Sequence, residues 1–285
     1  AHSQKVRGSV MLWKNERPLT DAECQELIGD GDSVIANGER RLLSRIKPPV
    51  DNDTTGFATP FAKSGIEKIP RHEWDARLKE QVELCTRVSD FQNFPSHDQD
   101  GIPTCWGNGP AHAATTQRVI QGLNYVEMSA NSVCVPISGG RRGGYEGSAL
   151  AYAAKHGFAS VKYWANNDLN KSLMNDPQVQ ADRKRHVPLE WIDCGNDFDA
   201  YMTIALLTIA GAVAYNDWSH VISTADGVLI EKGSYGLRPR NNWGDRWGSK
   251  NKYGFGGYVL FREGQRTHGC PDSGFGLRQM TSSSM

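Results

Sequence analysis

The chain changes character near residue 211, and this change constrains its fold more than any other feature of the sequence. Before that point apolar residues recur at helical spacing: Trp74, Leu78 and Cys85 share one face of a segment over roughly 72–89. After that point, short stretches rich in β-branched and aromatic residues alternate with Gly-rich turns, which is typical of strands. Helices that precede strands favour an α+β fold with two segregated halves.

Periodicity and capping residues predict further elements. Three more helices and four strands are expected in the main part of the chain. The expected helices run from just after Cys105 to Gly122, from Ser148 to His156 with Gly157 as a left-handed cap, and from Asp197 to Ile209, and the expected strands are 213–215, 221–224, 227–231 and 258–261.

The composition divides the chain into three parts. Residues 1–65 are predicted to be an N-terminal extension or arm, residues 66–264 the main domain, and residues 265–285 a C-terminal tail that ends in a Ser-rich run. The chain has 285 residues, of which 38% are hydrophobic, so it can bury a full core and a disordered chain is excluded.

The N-terminal extension carries a few local signals. Gly8 to Trp13 favours a short strand, and Thr20 with Glu23 forms a capping box that begins a short helix. From there to Pro60 the sequence is rich in Gly, Asp, Pro and Thr, so we expect an extended linker or a wrapped arm.

Charge and hydropathy exclude several partners. There are 32 Lys and Arg residues and 32 Asp and Glu residues, so the net charge is zero and no nucleic-acid partner is expected. The longest uncharged apolar stretch, Thr203 to Tyr215, has 13 residues, whereas a membrane helix needs about 20, so no membrane partner is expected. The first residues contain no apolar segment of a secretory signal.

The cysteines indicate a reducing environment. The six cysteines lie at least 20 residues apart, which excludes paired zinc-ligand spacing and the density of a disulfide scaffold. We therefore expect a reducing compartment such as the cytoplasm, or an assembled particle such as a virion. No metal and no organic cofactor is expected.

One cysteine stands out because it precedes a predicted helix. A thiolate at neutral pH needs its pKa lowered by a helix N-terminus and a nearby imidazolium, and Cys105 would lie at such a terminus. His220, at the start of a predicted strand, is the candidate base, and Asn241 is an amide that can orient its ring. Gln99, six residues before Cys105, is the candidate donor to a developing oxyanion.

These residues carry a resemblance to the papain-like cysteine peptidases. Three blocks resemble family motifs over roughly residues 66–264, and Cys105, His220 and Asn241 follow the family's order Cys, His, Asn. The blocks are Gln99 to Trp106, which resembles Q-G-x-x-G-x-C-W, Gly143-Gly144-Tyr145, which resembles N-G-G-Y/L, and Asn241 to Gly248, which resembles N-S-W-G-x-x-W-G.

The resemblance implies a fold and a set of roles. The fold would have a helical left half carrying the Cys helix and a right half with an antiparallel, barrel-like β-sheet. Cys105 would be the nucleophile, His220 the base and then the acid, Asn241 the orienting residue, and Gln99 with the Cys105 N–H the oxyanion hole. Substrate binding would fall to Gly143 and Gly144, which pair with a peptide backbone, and to Trp243, which shields the His–Asn hydrogen bond.

The sequence also departs from the family pattern. Gly107, Gly109 and Pro110 follow Cys105 directly and weaken a helix, so the helix is at risk of starting after the sulfur. The stretch from Val213 to His220 is shorter than usual for the family, so the family's specificity is not carried over.

Two functions remain open from the sequence. The first is a peptidase that acts on peptide or protein substrates. The alternative is a papain-fold structural component of a large assembly, such as a virion or phage tail protein, with weak, restricted or no peptidase activity. In that alternative, neighbouring protein chains are the expected partners that order the terminal arms. An arm folded over its own domain is the competing explanation, and it would inhibit the enzyme if it filled the cleft.

Overall fold

A computed structural model describes residues 16–28, 33–36, 39–43, 45, 58–247 and 254–282 of the chain. The strand expected at Gly8–Trp13 lies outside the described residues, as does much of the arm expected before Pro60.

Seven α-helices are described in these ranges, and side-chain caps explain where two of them begin. Thr20 and Glu23 form the expected capping box: the Thr20 N–H donates to the Glu23 carboxylate (2.9 Å), and the Glu23 N–H donates to the Thr20 hydroxyl (3.3 Å). Asp197 caps its helix as expected, by accepting the N–H groups of Asp199 and Ala200. The helices are α1 (Asp21–Ile28), α2 (Arg71–Leu84), α3 (Cys105–Ile120), α4 (Asn131–Ser138), α5 (Glu146–His156), α6 (Pro177–Arg183) and α7 (Phe198–Leu206).

Some helix boundaries differ from the predicted ones. Helix α2 ends at Leu84, short of residue 89, because Cys85 adopts a left-handed conformation with φ 54°. Helix α7 ends before Ile209, and Thr208 adopts φ 56°. Helices α4 and α6 were not predicted, because elements of 8 and 7 residues show too few apolar repeats for periodicity to reveal them.

The strands form one hairpin and one large mixed sheet. The hairpin is β1–β2, and the sheet has the order β3-β4-β11-β5-β6-β7-β9-β8 with β10 paired to β7. The order begins at β3 and ends at β8, so within the described ranges the sheet is open rather than a closed barrel. The strands are β1 (Ser33–Ala36), β2 (Glu39–Leu42), β3 (Ala58–Pro60), β4 (Pro188–Asp193), β5 (Gly211–Tyr215), β6 (His220–Glu231), β7 (Ser234–Arg240), β8 (Gly254–Phe255), β9 (Tyr258–Val259), β10 (Phe261–Arg262) and β11 (Ser273–Met280).

Several strands differ from the sequence expectation, and β1, β2, β3, β4 and β8 were not predicted. The two strands expected at 221–224 and 227–231 are parts of β6, whose register shifts between Ser223 and Asp226. Strand β7 was not predicted. Strand β11 lies in the segment assigned to a C-terminal tail, where it pairs with β4 on one side and β5 on the other. The proposed division of the chain at residues 65 and 264 stays a prediction.

Helix α3 lies against the middle of the sheet, where it contacts β5, β6 and β11. A Cβ built at Gly109 would lie 3.0 Å from Val221 Cγ1 and 3.2 Å from the Ile222 backbone, so the absent side chain lets helix and strand approach closely. This contact fixes the start of α3 relative to the start of β6. None of the helices in the described ranges combines the length and apolar character needed to cross a membrane.

Candidate active site

Cys105 is the first residue of α3, so the helix does not start after the sulfur. The N–H groups of Gly107 and Asn108 both donate to the Thr104 carbonyl, at 3.0 and 2.9 Å, which forms the first turn. Pro110 lies inside the helix, and α3 nevertheless continues to Ile120. The predicted weakness of this helix is therefore overcome by packing, since almost every residue of its first three turns is buried.

His220 is positioned by a tight hairpin between β5 and β6. It is the first residue of β6 and pairs with Tyr215, the last residue of β5. The connection closes with a hydrogen bond from the Ser219 N–H to the Asn216 carbonyl (2.9 Å), and Ser219 adopts φ 49°. The short stretch noted in the sequence is this hairpin.

Asn241 holds the ring of His220. Nε2 of His220 lies 2.8 Å from Oδ1 of Asn241, and because an amide oxygen accepts, the ring donates through Nε2–H. The same Oδ1 accepts the N–H of Asn242 at 2.8 Å, which fixes the direction of the amide. Nδ1 of His220 is buried and has no hydrogen-bond partner among the described residues, so it is the nitrogen left to act as a base.

Two indoles enclose the histidine. Trp243 lies with its ring centroid 4.8 Å from that of His220, and Trp218 lies at 4.7 Å. His220 is fully buried in this environment. Burial lowers the pKa of His220 to about 4, although its hydrogen bonds with Asn241 and Asn242 act in the opposite direction. The imidazole is therefore neutral at neutral pH in this structure.

Asn242 connects the segments that carry the candidate residues, and the sequence did not single it out. Its Nδ2 lies 3.5 Å from the Cys105 carbonyl and 3.3 Å from the Val221 carbonyl, so it bridges Cys105 and the residue next to His220. Its own carbonyl accepts the N–H of Gln99 at 3.0 Å. The sequence signal was available, because Asn242 stands where the resembled motif has serine.

Gln99 is held beside Cys105 by two paired loops. Asp98 forms an antiparallel bridge with Trp243, and the Gly244 N–H donates to the His97 carbonyl at 2.9 Å. The Gln99 side chain is fully buried, and its amide donates to the Ile102 carbonyl at 3.0 Å. The structure thus brings Gln99, Cys105, His220 and Asn241 into one region.

Residues 41–43 and 45 of the N-terminal arm lie over this region. The Gln99 amide also donates to the Leu42 carbonyl at 3.3 Å. The arm therefore accepts a hydrogen bond from the group that the sequence predicts to be the oxyanion donor. Further along, the Arg45 N–H donates to the Ser219 carbonyl (2.9 Å), and Arg45 forms a parallel bridge with Gly144. The arm therefore places its backbone where the sequence predicts substrate pairing.

The two predicted glycines differ in what surrounds them. A Cβ at Gly144 would lie 2.4 Å from the indole of Trp106, so only glycine lets this backbone lie flat on the ring and pair with Arg45. Gly143 is half-buried and precedes it.

Trp243 is 1% exposed and contacts His220, so its position fits shielding of the His–Asn pair.

A buried ion pair links the arm to the cleft. The Arg45 guanidinium donates to both carboxylate oxygens of Glu146, through Nε at 3.2 Å and Nη2 at 3.1 Å. Ser273 accepts from the same Nη2 at 2.9 Å. None of these three residues was a candidate from sequence, because the contacts join positions 101 and 228 residues apart.

No group of three or more His, Cys, Asp or Glu side chains suited to a metal ion occurs among the described residues.

Comparison with known proteins gives matches among solved structures only. No family model and no curated protein matches the sequence. Digestive procathepsin L 3 from Tenebrio molitor larval midgut matches with a TM-score of 0.60 and 13% identity, over 92% of this chain and 79% of its own. Xylellain, a cysteine protease from Xylella fastidiosa, matches with a TM-score of 0.57 and 15% identity, over 86% and 99%. ProCathepsin B S9 from Trypanosoma congolense matches with a TM-score of 0.55 and 15% identity, over 93% and 90%. At these identities the similarity is one of fold.

Proposed function

We propose that this chain, which has the fold of the papain-like cysteine proteases, is a cysteine peptidase whose cleft is covered by its own N-terminal arm. The observation that carries the proposal is the ring of His220, oriented by Asn241 through Nε2, with Nδ1 left as the base. Asn242 ties this base to Cys105 at the start of α3. A nucleophile, a base and an orienting residue are the three groups that such catalysis needs.

The proposed mechanism uses these residues in sequence. The Cys105 thiol gives its proton to Nδ1 of His220, and the sulfur forms a bond to the carbonyl carbon of a peptide bond. The oxygen that becomes negative accepts hydrogen bonds from the Gln99 amide and the Cys105 N–H. His220 then protonates the leaving amine as the C–N bond breaks. A water molecule, deprotonated by His220, hydrolyses the thioester and restores the thiol.

The structure corresponds to an inhibited state in this proposal. Cys105, His220 and Gln99 are each 0% exposed, and the Leu42 carbonyl takes the hydrogen bond that an oxyanion needs. A neutral His220 gives no imidazolium to stabilise a thiolate, because burial lowers its pKa to about 4. Displacement of the arm would admit water and substrate and move the pKa back toward its ordinary value.

Covalent labelling of Cys105 tests the proposed function. The full chain is treated with a thiol-directed, peptide-like inhibitor, and its mass is measured intact alongside Cys105→Ala. We expect one added inhibitor on the wild type and none at this position in the variant. In a fluorogenic peptide assay, Cys105→Ala should lose at least about 1000-fold in turnover and keep its fold, because it removes the nucleophile.

A second variant separates orientation from nucleophilic attack. Asn241→Ala should lower turnover less than Cys105→Ala, because the base remains and only its orientation is lost. Equal turnover in the wild type and Cys105→Ala would remove the catalytic role of Cys105. Absence of both labelling and turnover would instead support the alternative of a structural component with this fold.

The described contacts of the arm are relevant to the alternative in which neighbouring chains order the arm. Arg41, Leu42 and Arg45 contact the chain's own cleft, as the intramolecular explanation expects. Neighbouring chains that order the termini stay a prediction of the structural alternative.

A further inference from the structure

We propose that the pocket holding the Arg45 side chain is a specificity pocket, and that Glu146 selects substrates with an arginine at the position entering it. This inference rests on the proposed peptidase function, since it names the substrate class of the same cleft. The pocket is lined by Glu146, Ser273 and the Gly144 backbone, and in this structure the arm fills it with its own arginine.

The pocket is built for a guanidinium. Glu146 places one carboxylate oxygen against Nε of Arg45 and the other against Nη2, at 3.2 and 3.1 Å. The Ser273 hydroxyl donates to the Glu146 carboxylate and accepts from Nη2, so it orients the acid and adds a third contact. The two carboxylate oxygens accept the two parallel N–H donors of the planar arginine fork, whereas the single ammonium of lysine presents one point charge.

The Arg45 backbone lies next to the proposed catalytic residues. The backbone of Arg45 pairs with Gly144 and donates to the carbonyl of Ser219, the residue before His220. Three residues earlier in the arm, the Leu42 carbonyl accepts from Gln99. A peptide held along the same backbone line would therefore pass the nucleophile and place one of its side chains in the pocket.

Glu146 loses its cationic partner when the arm leaves the cleft. Its side chain is 0% exposed, and the Arg45 side chain is 2% exposed. A buried carboxylate without a partner is strongly disfavoured, so an arginine of the substrate would regain an interaction that a neutral side chain leaves unmade. The arm's other cleft ion pairs differ, because Asp98 and Asp100, the partners of Arg41, are 49% and 76% exposed and water can solvate them.

The first experiment tests the pocket without relying on turnover. Full-length Arg45→Ala is melted with about 10 mM methylguanidinium chloride or methylammonium chloride, beside Arg41→Ala, in which the pocket stays filled. We expect methylguanidinium to raise the melting temperature of Arg45→Ala by roughly 1–3 °C relative to methylammonium, and to leave Arg41→Ala unchanged. An equal rise in Arg45→Ala/Glu146→Gln would overturn the assignment of Glu146.

The second experiment tests specificity at the nucleophile. Tripeptidyl chloromethyl ketones carry arginine, lysine or leucine at one position at a time, and the Cys105 sulfur displaces chloride to form a thioether. The rate of mass gain is measured on the full-length Arg41→Ala/Arg45→Ala variant, in which the described ion pairs of Arg41 and Arg45 with the cleft are absent. At one position we expect the arginine probe to label Cys105 faster than the leucine probe by on the order of 10- to 100-fold. Glu146→Gln in this background should abolish this difference in labelling rate.

The outcomes separate the inference from the proposed function. Equal labelling by the arginine and leucine probes overturns the pocket's role and leaves Cys105 as a reactive nucleophile. A preference that survives Glu146→Gln overturns Glu146 as the selecting residue. No labelling of Cys105 by any probe overturns the proposed function and this inference with it.

Discussion

Single residues in this cleft are constrained by contacts that only one side chain satisfies. Gly144 is the sharpest case, because a Cβ there would lie 2.4 Å from the Trp106 indole. Trp106 is fixed in turn by a hydrogen bond from its Nε1 to the Pro103 carbonyl (3.2 Å) and by full burial. Neither the ring nor the backbone that pairs with Arg45 has room to yield.

We therefore expect Gly144→Ala to destabilise the protein and to disturb the cleft. The added methyl group should cost about 1–3 kcal/mol in the free energy of unfolding, measured by urea denaturation. Gly101→Ala is the matched control, because a Cβ at Gly101 has no atom within 4 Å. A loss equal to that of the control would show that the indole moves freely.

Single elements owe their place to packing as much as to local preference. Strand β11 contains two glycines and an exposed Arg278–Gln279 pair, so its sequence predicts a polar tail rather than a buried strand. In the fold it lies between β4 and β5, and its residue Leu277 is 0% exposed in the core that also contains Trp106. The strand is thus integral to the sheet.

Substitution within β11 tests this position. Leu277→Ala should lower the free energy of unfolding by about 2–5 kcal/mol, because it leaves a cavity in a closed core. Gln279→Ala, two residues along the same strand and exposed, should change it by less than about 0.5 kcal/mol. Similar small losses for both substitutions in urea denaturation would mean that β11 contributes little to the stability of the sheet.

At the scale of the whole molecule, buried histidines couple stability to pH. Burial lowers the pKa of His97 and His220 to about 4 and that of His268 to about 3, and it lowers the pKa of His112 well below its ordinary value. Each ring is neutral in the folded chain and charges more readily in the unfolded chain. The unfolded state therefore binds more protons below the ordinary histidine pKa of about 6.5.

Stability should accordingly be full above about pH 6.5 and fall as the pH drops toward 4. Each such histidine contributes a slope of at most about 1.4 kcal/mol per pH unit in this window. Urea denaturation at pH 7, 5.5 and 4.5 measures the slope, and His112→Leu should flatten it, because both ring nitrogens of His112 lack a hydrogen-bond partner among the described residues. An unchanged slope in this variant would contradict the role of His112.

Local signals predicted those parts of the fold whose cause is local. The capping residues Thr20 and Asp197 located the starts of α1 and α7, because a cap is a contact over two or three residues. Strand β7 escaped prediction because it carries Arg238 and Arg240 at buried positions. Arg238 is buried through ion pairs with Asp226, 12 residues away, and Glu16, 222 residues away. Sequence alone therefore predicts an exposed charge at this position.

The sequence by itself selected the residues proposed for catalysis. Residue type, order and spacing, and the resemblance that they carry, singled out Cys105, His220, Asn241 and Gln99, because a reaction mechanism demands particular functional groups. Only the tertiary structure decided that the arm covers them and that Arg45 enters a pocket with Glu146. These contacts join positions 101 residues apart, and a contact between distant positions leaves no periodic pattern along the chain.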